Sequence, residues 1–252
     1  MDFIRRFQEK TGKDYLSYTS IKYALEDMVL FELYTKGKLE KKSDALTFGS
    51  VYDCLLFEPE KFDDRYAVFD DEALVRKIGG GNPRATSAYK QAKAEFFKDS
   101  EQKQIVSIED HMKAVDMITR LQETDAFAYL QGVYQQELVG FVGEAMVRGF
   151  LDCRGNGFVS DSKTTRSIKS FKRDVFSFGY DLQAYLYLEI SGESEFYWVA
   201  QDTSYPYTVA VYKASDRTLE SGKRKFEMGL SVIKEYVDGT ETTNKYWIFD
   251  EI

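Results

Sequence analysis

In the segment Arg148-Gly149-Phe150-Leu151-Asp152-Cys153-Arg154-Gly155-Asn156-Gly157-Phe158-Val159-Ser160-Asp161-Ser162-Lys163, two β-prone runs flank an Asn-Gly pair. Asn-Gly is a strong two-residue hairpin signal. Centring the turn there sets Asp152 directly opposite Asp161. Lys163, two residues further on, shares their face. A four-residue loop would keep both aspartates on one face; a three-residue loop would not.

Two like charges directly opposed, with Cβ atoms roughly 4.5–5.5 Å apart, destabilise a sheet. A divalent cation offsets that repulsion, since Mg²⁺ favours carboxylate oxygens and retained waters. Lys163 beside it would orient or deprotonate a metal-bound water, or hold developing charge on a phosphate. An isolated Asp followed on the next strand by Asp–x–Lys is the layout for metal-assisted phosphodiester hydrolysis. Spacing alone still favours a solvated hairpin, because short motifs have many false positives. Three neighbouring features shift the balance. Glu137, on the preceding strand, can supply a third carboxylate. From Lys163 to Arg173 there are five basic residues (Lys163, Arg166, Lys169, Lys172, Arg173) and no acid. Gln183 and Tyr187 are four apart on the next helix, so they project from one face toward a metal or phosphate.

Outward from the hairpin, Gln131 to Val142, Ala145 to Cys153 and Phe158 to Lys163 read as a meander. A helical stretch runs from about Ile168 to Ile190 and is closed by Ser191-Gly192. Phe196 to Asp202 and Tyr207 to Lys213 read as strands around Pro206, and Asp216 caps a last helix to about Val237. Upstream, Thr19 or Ser20 caps a helix toward Tyr34, ended by Gly37. Phe48 to Phe57 is apolar and stops at Glu58-Pro59. Arg65 to Phe69 is a short strand, and Gly79-Gly80-Gly81-Asn82-Pro83 a loop without the Lys-Ser/Thr of a phosphate-binding loop. Ser107 caps a helix with Ile108, Met112, Val115, Ile118 and Leu121 on one stripe. The order predicts an α/β fold, a mixed central sheet flanked by helices. It is read as one domain over 1–252, with a helical N-terminal region at about 1–105 and a catalytic core at about 106–252.

Composition narrows the chemistry. The chain of 252 residues carries 34 Lys+Arg and 42 Asp+Glu, for a net charge of −8, with one His and two Cys. Those few soft ligands exclude a four-ligand Cys/His zinc site and a four-cysteine iron–sulfur cluster. His111 reads as a surface or boundary residue, and Cys54 and Cys153 as packed reduced thiols. Lys223-Arg224-Lys225 reads as a solvated helix face, with contact to DNA as the alternative. No run approaches the ~18 apolar residues of a membrane helix, and no signal-peptide core follows Met1, so a cytoplasmic protein without a membrane partner is expected. The acidic charge argues mildly against nucleic acid. Carboxylates gathered on a metal, with basic residues just after the hairpin, weaken that objection.

Gly149-Phe150-Leu151-Asp152, Val159-Ser160-Asp161-Ser162-Lys163-Thr164-Thr165 and Gly179-Tyr180-Asp181-Leu182-Gln183-Ala184-Tyr185-Leu186-Tyr187 resemble the PD-(D/E)xK nuclease superfamily, in its RecB-type branch with a Gln-x-x-x-Tyr motif. The closer resemblance is to RecE-like exonucleases (exodeoxyribonuclease VIII) of phages. Ser17-Tyr18-Thr19-Ser20-Ile21-Lys22, the block Leu46 to Phe62 and Tyr205-Pro206-Tyr207-Thr208-Val209-Ala210-Val211-Tyr212 extend the likeness from about Tyr15 to Tyr236.

The resemblance implies a restriction-endonuclease-like core. It implies metal ligation by Asp152, Asp161 and the Ser162 carbonyl, with Lys163 as the catalytic lysine. Glu137 would be the upstream acid, with Glu144 its competitor, and Gln183 and Tyr187 the motif pair. Asp53 stands where the family usually carries a metal-binding His. An oxygen ligand there would preserve the site with altered metal preference, and an exposed helix residue is the alternative. Arg166, Lys169, Lys172 and Arg173 would meet the DNA backbone. The expected activity is a Mg²⁺-dependent (or Mn²⁺-dependent) deoxyribonuclease, a 5′→3′ exonuclease on linear duplex ends. Phage-type recombination, a single-strand annealing partner and a ring-like homo-oligomer accompany it, in the host cytoplasm if the chain is phage-encoded. The alternatives are an endonuclease or single-strand-specific nuclease of the same superfamily, or a catalytically silent DNA-binding or assembly module.

Overall fold

A computed structural model describes residues 2–39 and 44–240. Three helices come first: α1 (Asp2–Thr11), α2 (Tyr18–Glu26) and α3 (Met28–Thr35). Then follow α4 (Asp44–Phe57), α5 (Phe62–Arg65), β1 (Tyr66–Phe69), α6 (Asp71–Ile78), α7 (Ser87–Asp99), β2 (Gln104–Ser107) and α8 (Ile108–Gln122). The rest is β3 (Val133–Val142), β4 (Ala145–Arg154), β5 (Phe158–Thr165), α9 (Ile168–Ser177), α10 (Tyr180–Ser191), β6 (Glu195–Asp202), β7 (Val209–Lys213) and α11 (Asp216–Asp238). The chain divides into two compact units. One gathers Met1–Lys41 with Asp125–Ile252, and the other is Lys42–Thr124. No helix of the described residues is long and apolar enough to cross a membrane.

In the smaller unit, β1 and β2 pair in parallel and α4 packs against α8. Ser107 caps α8 as expected, its hydroxyl accepting from the Asp110 N–H at 3.0 Å. The helix buries a neighbouring stripe, however: Ala114, Met117, Ile118 and Leu121 are interior, while Met112 and Val115 are exposed. His111 is half-buried with its ring against Phe62, and Cys54 is a buried free thiol.

The larger unit is built on a five-stranded sheet in the order β3-β4-β5-β6-β7. Only β5 and β6 are parallel, so the sheet is mixed, and α9 and α10 form the crossover between them. The core joins Val147, Leu151, Val159, Phe196 and Trp198 of the sheet to Leu182 and Leu186 of α10, Ile21 and Phe31 of the N-terminal helices, and Phe226 and Ile233 of α11. The expected helix toward Tyr34 is two helices. Ser17, not Thr19 or Ser20, caps α2, in a reciprocal box with Ser20. Asp27 is extended at φ −166° and caps α3 through the Val29 N–H at 2.7 Å. A short acid that accepts from the backbone competes with helix continuation, which explains the break. The stretch from Ile168 to Ile190 also divides, because Gly179 takes φ +77° between α9 and α10. Ser215, one residue before Asp216, caps α11.

Candidate active site

The hairpin forms with the register the Asn-Gly pair predicts. Cys153 pairs with Ser160 and Arg154 with Val159, and the Gly155 N–H closes the turn on the Phe158 carbonyl at 2.9 Å. The ladder then stops. Among the described residues no pair joins positions 149–152 of β4 to β5. Further along the same edge, Leu16 docks instead: its N–H donates to Met146 O and its carbonyl accepts from the Arg148 N–H, both at 2.8 Å. Between Leu16 and the turn the edge of β4 is left open, and Asp152 stands in that opening.

Asp152 replaces the missing ladder contact with its side chain, whose Oδ2 accepts from the Ser162 N–H at 3.0 Å. Within a strand, one residue's N–H and C=O point to the same edge, so the Ser162 carbonyl also faces the opening. Asp161 is 2% exposed. Its Oδ1 accepts from Gln183 Nε2 at 2.7 Å, and its other oxygen pairs with the Lys163 ammonium. The Lys163 Nζ also lies 5.0 Å from the centre of the Tyr180 ring, a cation–π placement. Gly149 lets α10 come close: a Cβ there would meet the Tyr187 ring at 2.7 Å and Ile190 at 2.9 Å. Gly179, in the left-handed conformation, turns the chain so that α10 points Gln183 at Asp161.

Electrostatics mark this as a strained charge cluster. Burial, and then the neighbouring Asp161 carboxylate, push the Asp152 acid up to about 7. Burial pulls Lys163 down, but the charges of Asp161 and then Asp152 outweigh it and hold the ammonium above its ordinary range. The Tyr187 phenol is pushed up to about 12 by burial and then by Asp161. Tyr18, whose hydroxyl donates to the Phe178 carbonyl at 2.6 Å, is raised by burial despite nearby Lys163.

Asp152, Asp161, Ser162, Lys163 and Gln183 therefore meet in one place, with Tyr187 on the same helix as Gln183. Glu137 does not join them. It lies across from Phe150 on β3, exposed, with its carboxylate 2.7 Å from the Arg148 guanidinium. Glu144 sits in the β3–β4 turn and pairs with Lys234. Asp53 is a half-buried residue of α4 and belongs to the smaller unit, while Asp152 and Asp161 belong to the larger. Arg166, Lys169, Lys172 and Arg173 are exposed on and just before α9, Arg173 lying 3.9 Å from Asp174. Lys225 is tied into the fold: it donates to Asp181 at 2.8 Å and to the Phe176 carbonyl at 2.9 Å. Two further groups had no sequence signal. Gln135 donates to Asp152 Oδ1 at 3.4 Å. A cavity of about 420 Å³ opens beside Tyr187, lined by Lys13, Tyr15, Ser17, Thr19 and Arg148 among others.

The donor set suits a small hard cation. Two carboxylates and a strand carbonyl face one opening, and the Gln183 Oε1 is buried with no hydrogen-bond partner. Among the described residues no group of three or more His, Cys, Asp or Glu converges. Two carboxylates completed by carbonyls and water are what Mg²⁺ accepts.

A family model for a PDDEXK-like domain of unknown function (DUF3799) matches residues 24–245. The crystal structure of a "Putative exonuclease" from Eubacterium rectale is 19% identical over 90% of this chain and 83% of that chain, with a TM-score of 0.66. This likeness is one of fold, a mixed sheet flanked by helices. The crystal structure of SSO0001 is 14% identical over 83% of this chain and 85% of that chain, with a TM-score of 0.31. No curated protein matches.

Proposed function

The chain belongs to the PDDEXK-like family, and we propose that it is a divalent-metal-dependent deoxyribonuclease acting as an exonuclease on linear duplex DNA. The observation that carries this reading is the meeting of Asp152, Asp161 and Lys163 in the opening of the sheet, with Gln183 fixed on Asp161.

Asp152, Asp161 and the Ser162 carbonyl would hold the ion. When bound, Mg²⁺ or Mn²⁺ supplies an acidified water and neutralises charge on the phosphate. Gln183 holds one oxygen of Asp161, which fixes the direction of the other. Lys163, paired with Asp161 beside this site, would orient or deprotonate the attacking water, or hold charge developing on a phosphate oxygen. The cavity beside Tyr187 supplies Lys13, Arg148 and several hydroxyls, chemistry suited to a nucleotide's phosphate. The exposed basic residues of α9 suit a passing backbone.

The finer parts of the proposal rest on the resemblance of the sequence blocks to RecE-like enzymes. They are 5′→3′ polarity, a homo-oligomer, a single-strand annealing partner and a role in recombination. The test is degradation of end-labelled linear duplex with Mg²⁺ by the parent, Asp161→Ala and Lys163→Ala. The expected result is stepwise loss from the end by the parent and a fall of about 10²-fold or more in both variants. A variant as fast as the parent overturns the site, and equal cutting of circular duplex overturns the exonuclease.

A further inference from the structure

We propose that Gln135 is a positioning residue for Asp152. Gln135, the third residue of β3, has φ +48°, and the only other described non-glycine residue with positive φ is Tyr207, after Pro206. A left-handed conformation strains an ordinary residue, whose Cβ crowds the following carbonyl oxygen. Asn and Asp partly offset that cost with a short side chain that bonds locally, which Gln does not do. In a strand such a residue usually inserts a bulge that shifts the register. Here it does not: Tyr134 pairs with Cys153 and Gln136 with Leu151, in the same register on both sides. The register is therefore kept, and the ladder skips only the Gln135–Asp152 pair itself.

A second result is at the side chain. Gln135 lies opposite Asp152, and its Nε2 donates to Oδ1 at 3.4 Å while Ser162 N–H holds Oδ2 at 3.0 Å. Both oxygens of the carboxylate are thus directed, one from each neighbouring strand. Glu137, two residues along the same strand, is turned to Arg148 instead. Backbone strain kept beside a functional side chain is a usual mark of preorganisation. Outer partners that orient a ligand carboxylate typically contribute 10–100-fold to metal affinity or rate.

The inference rests on the reading of Asp152 as a metal ligand. Its test measures Mn²⁺ binding by calorimetry, melting in EDTA, and kcat and KM on duplex DNA for Gln135→Gly and Gln135→Met. Glycine keeps the left-handed backbone without strain and lacks the amide; methionine keeps the bulk and lacks the donor. Gln135→Gly should melt no lower than the parent in EDTA. Both variants should bind Mn²⁺ about tenfold or more weakly and lose kcat by a similar factor, with KM for DNA unchanged. Parental Mn²⁺ affinity and kcat in either folded variant overturn the inference. Asp152→Ala separates the two levels. If it keeps parental Mn²⁺ affinity, the metal reading fails and this inference with it. If it loses that affinity while both Gln135 variants keep it, the inference alone fails.

Discussion

Replacing Asp152 with Asn should make the metal-free protein more stable while destroying its activity. The side chain keeps its shape and can still accept from the Ser162 N–H. What it loses is a charge beside Asp161. In the folded chain the Asp152 acid is pushed from 3.8 to about 7, first by burial and then by that neighbour. At about 1.36 kcal/mol per pKa unit, this sets a ceiling of about 4 kcal/mol on the penalty for ionising it at neutral pH. Asp152 is only partly buried by accessible surface, so solvent screening lowers the expected gain to about 1–3 kcal/mol. The sign follows from a folded pKa above the unfolded one. The penalty is absent below about pH 4, grows through the interval up to about 7, and is complete above it. Melting in EDTA should then show Asp152→Asn higher than the parent by roughly 2–10 °C at pH 8 and level with it near pH 4. Added Mg²⁺ should narrow the gap and then reverse it: at ten times its Kd it stabilises the parent by about 1.4 kcal/mol and at 1,000 times by about 4.1 kcal/mol, and the variant by little. A variant that melts below the parent in EDTA at pH 8, or that gains equally at pH 4, refutes the repulsion argument.

Lys163→Met should remove activity and, unlike Asp152→Asn, lower metal-free stability by about 1–3 kcal/mol, because it leaves Asp161 buried beside Asp152 without its cation; melting in EDTA distinguishes the two. Lys225→Met should destabilise the chain by about 3 kcal/mol through the fully buried Asp181, yet leave Mn²⁺ affinity intact, as calorimetry on the folded variant will show. Gly149→Ala forces a Cβ onto the Tyr187 ring and should cost about 1–3 kcal/mol in denaturant unfolding. Lys169→Ala with Lys172→Ala should raise KM for DNA and flatten its salt dependence by about one to two in slope, with kcat unchanged in initial-rate assays.

Much of the larger unit was legible from local chemistry. Asn156-Gly157 permits one tight turn, and that turn alone sets Asp152 against Asp161, as the Cys153–Ser160 pair shows. The meander, the crossover and the last two strands follow from alternating apolar residues and their glycine and proline breaks. What was missed depended on competition or on distance. Asp27 and Gly179 look ordinary within helical runs, yet each diverts the chain because a side-chain cap or a positive φ is available. The stripe on α8 shifted because Ala114 and Met117, not Met112 and Val115, face neighbours far away in sequence. Glu137 has the right spacing for a third carboxylate, but Arg148 on the adjacent strand claims it. Lys225 reads as one of three solvated cations until Asp181 is seen buried beneath it. Gln135 carries no signal at all, since glutamine has no preference for the backbone it adopts.

The two rungs between β4 and β5 have a mechanical consequence. The sheet is effectively two leaves, β3–β4 and β5–β6–β7, joined at Cys153–Ser160 and Arg154–Val159 and folded along the Asn156-Gly157 crease. Leu16 clips onto the far end of the β4 leaf, so that leaf's edge is covered at both ends and open in between. Asp152 is mounted on one leaf and Asp161 on the other. Beyond the two rungs, the bond from the Ser162 N–H to Asp152 Oδ2 is the side-chain rung that ties one leaf to the other, so the spacing of the two aspartates follows how far that bond lets the leaves part.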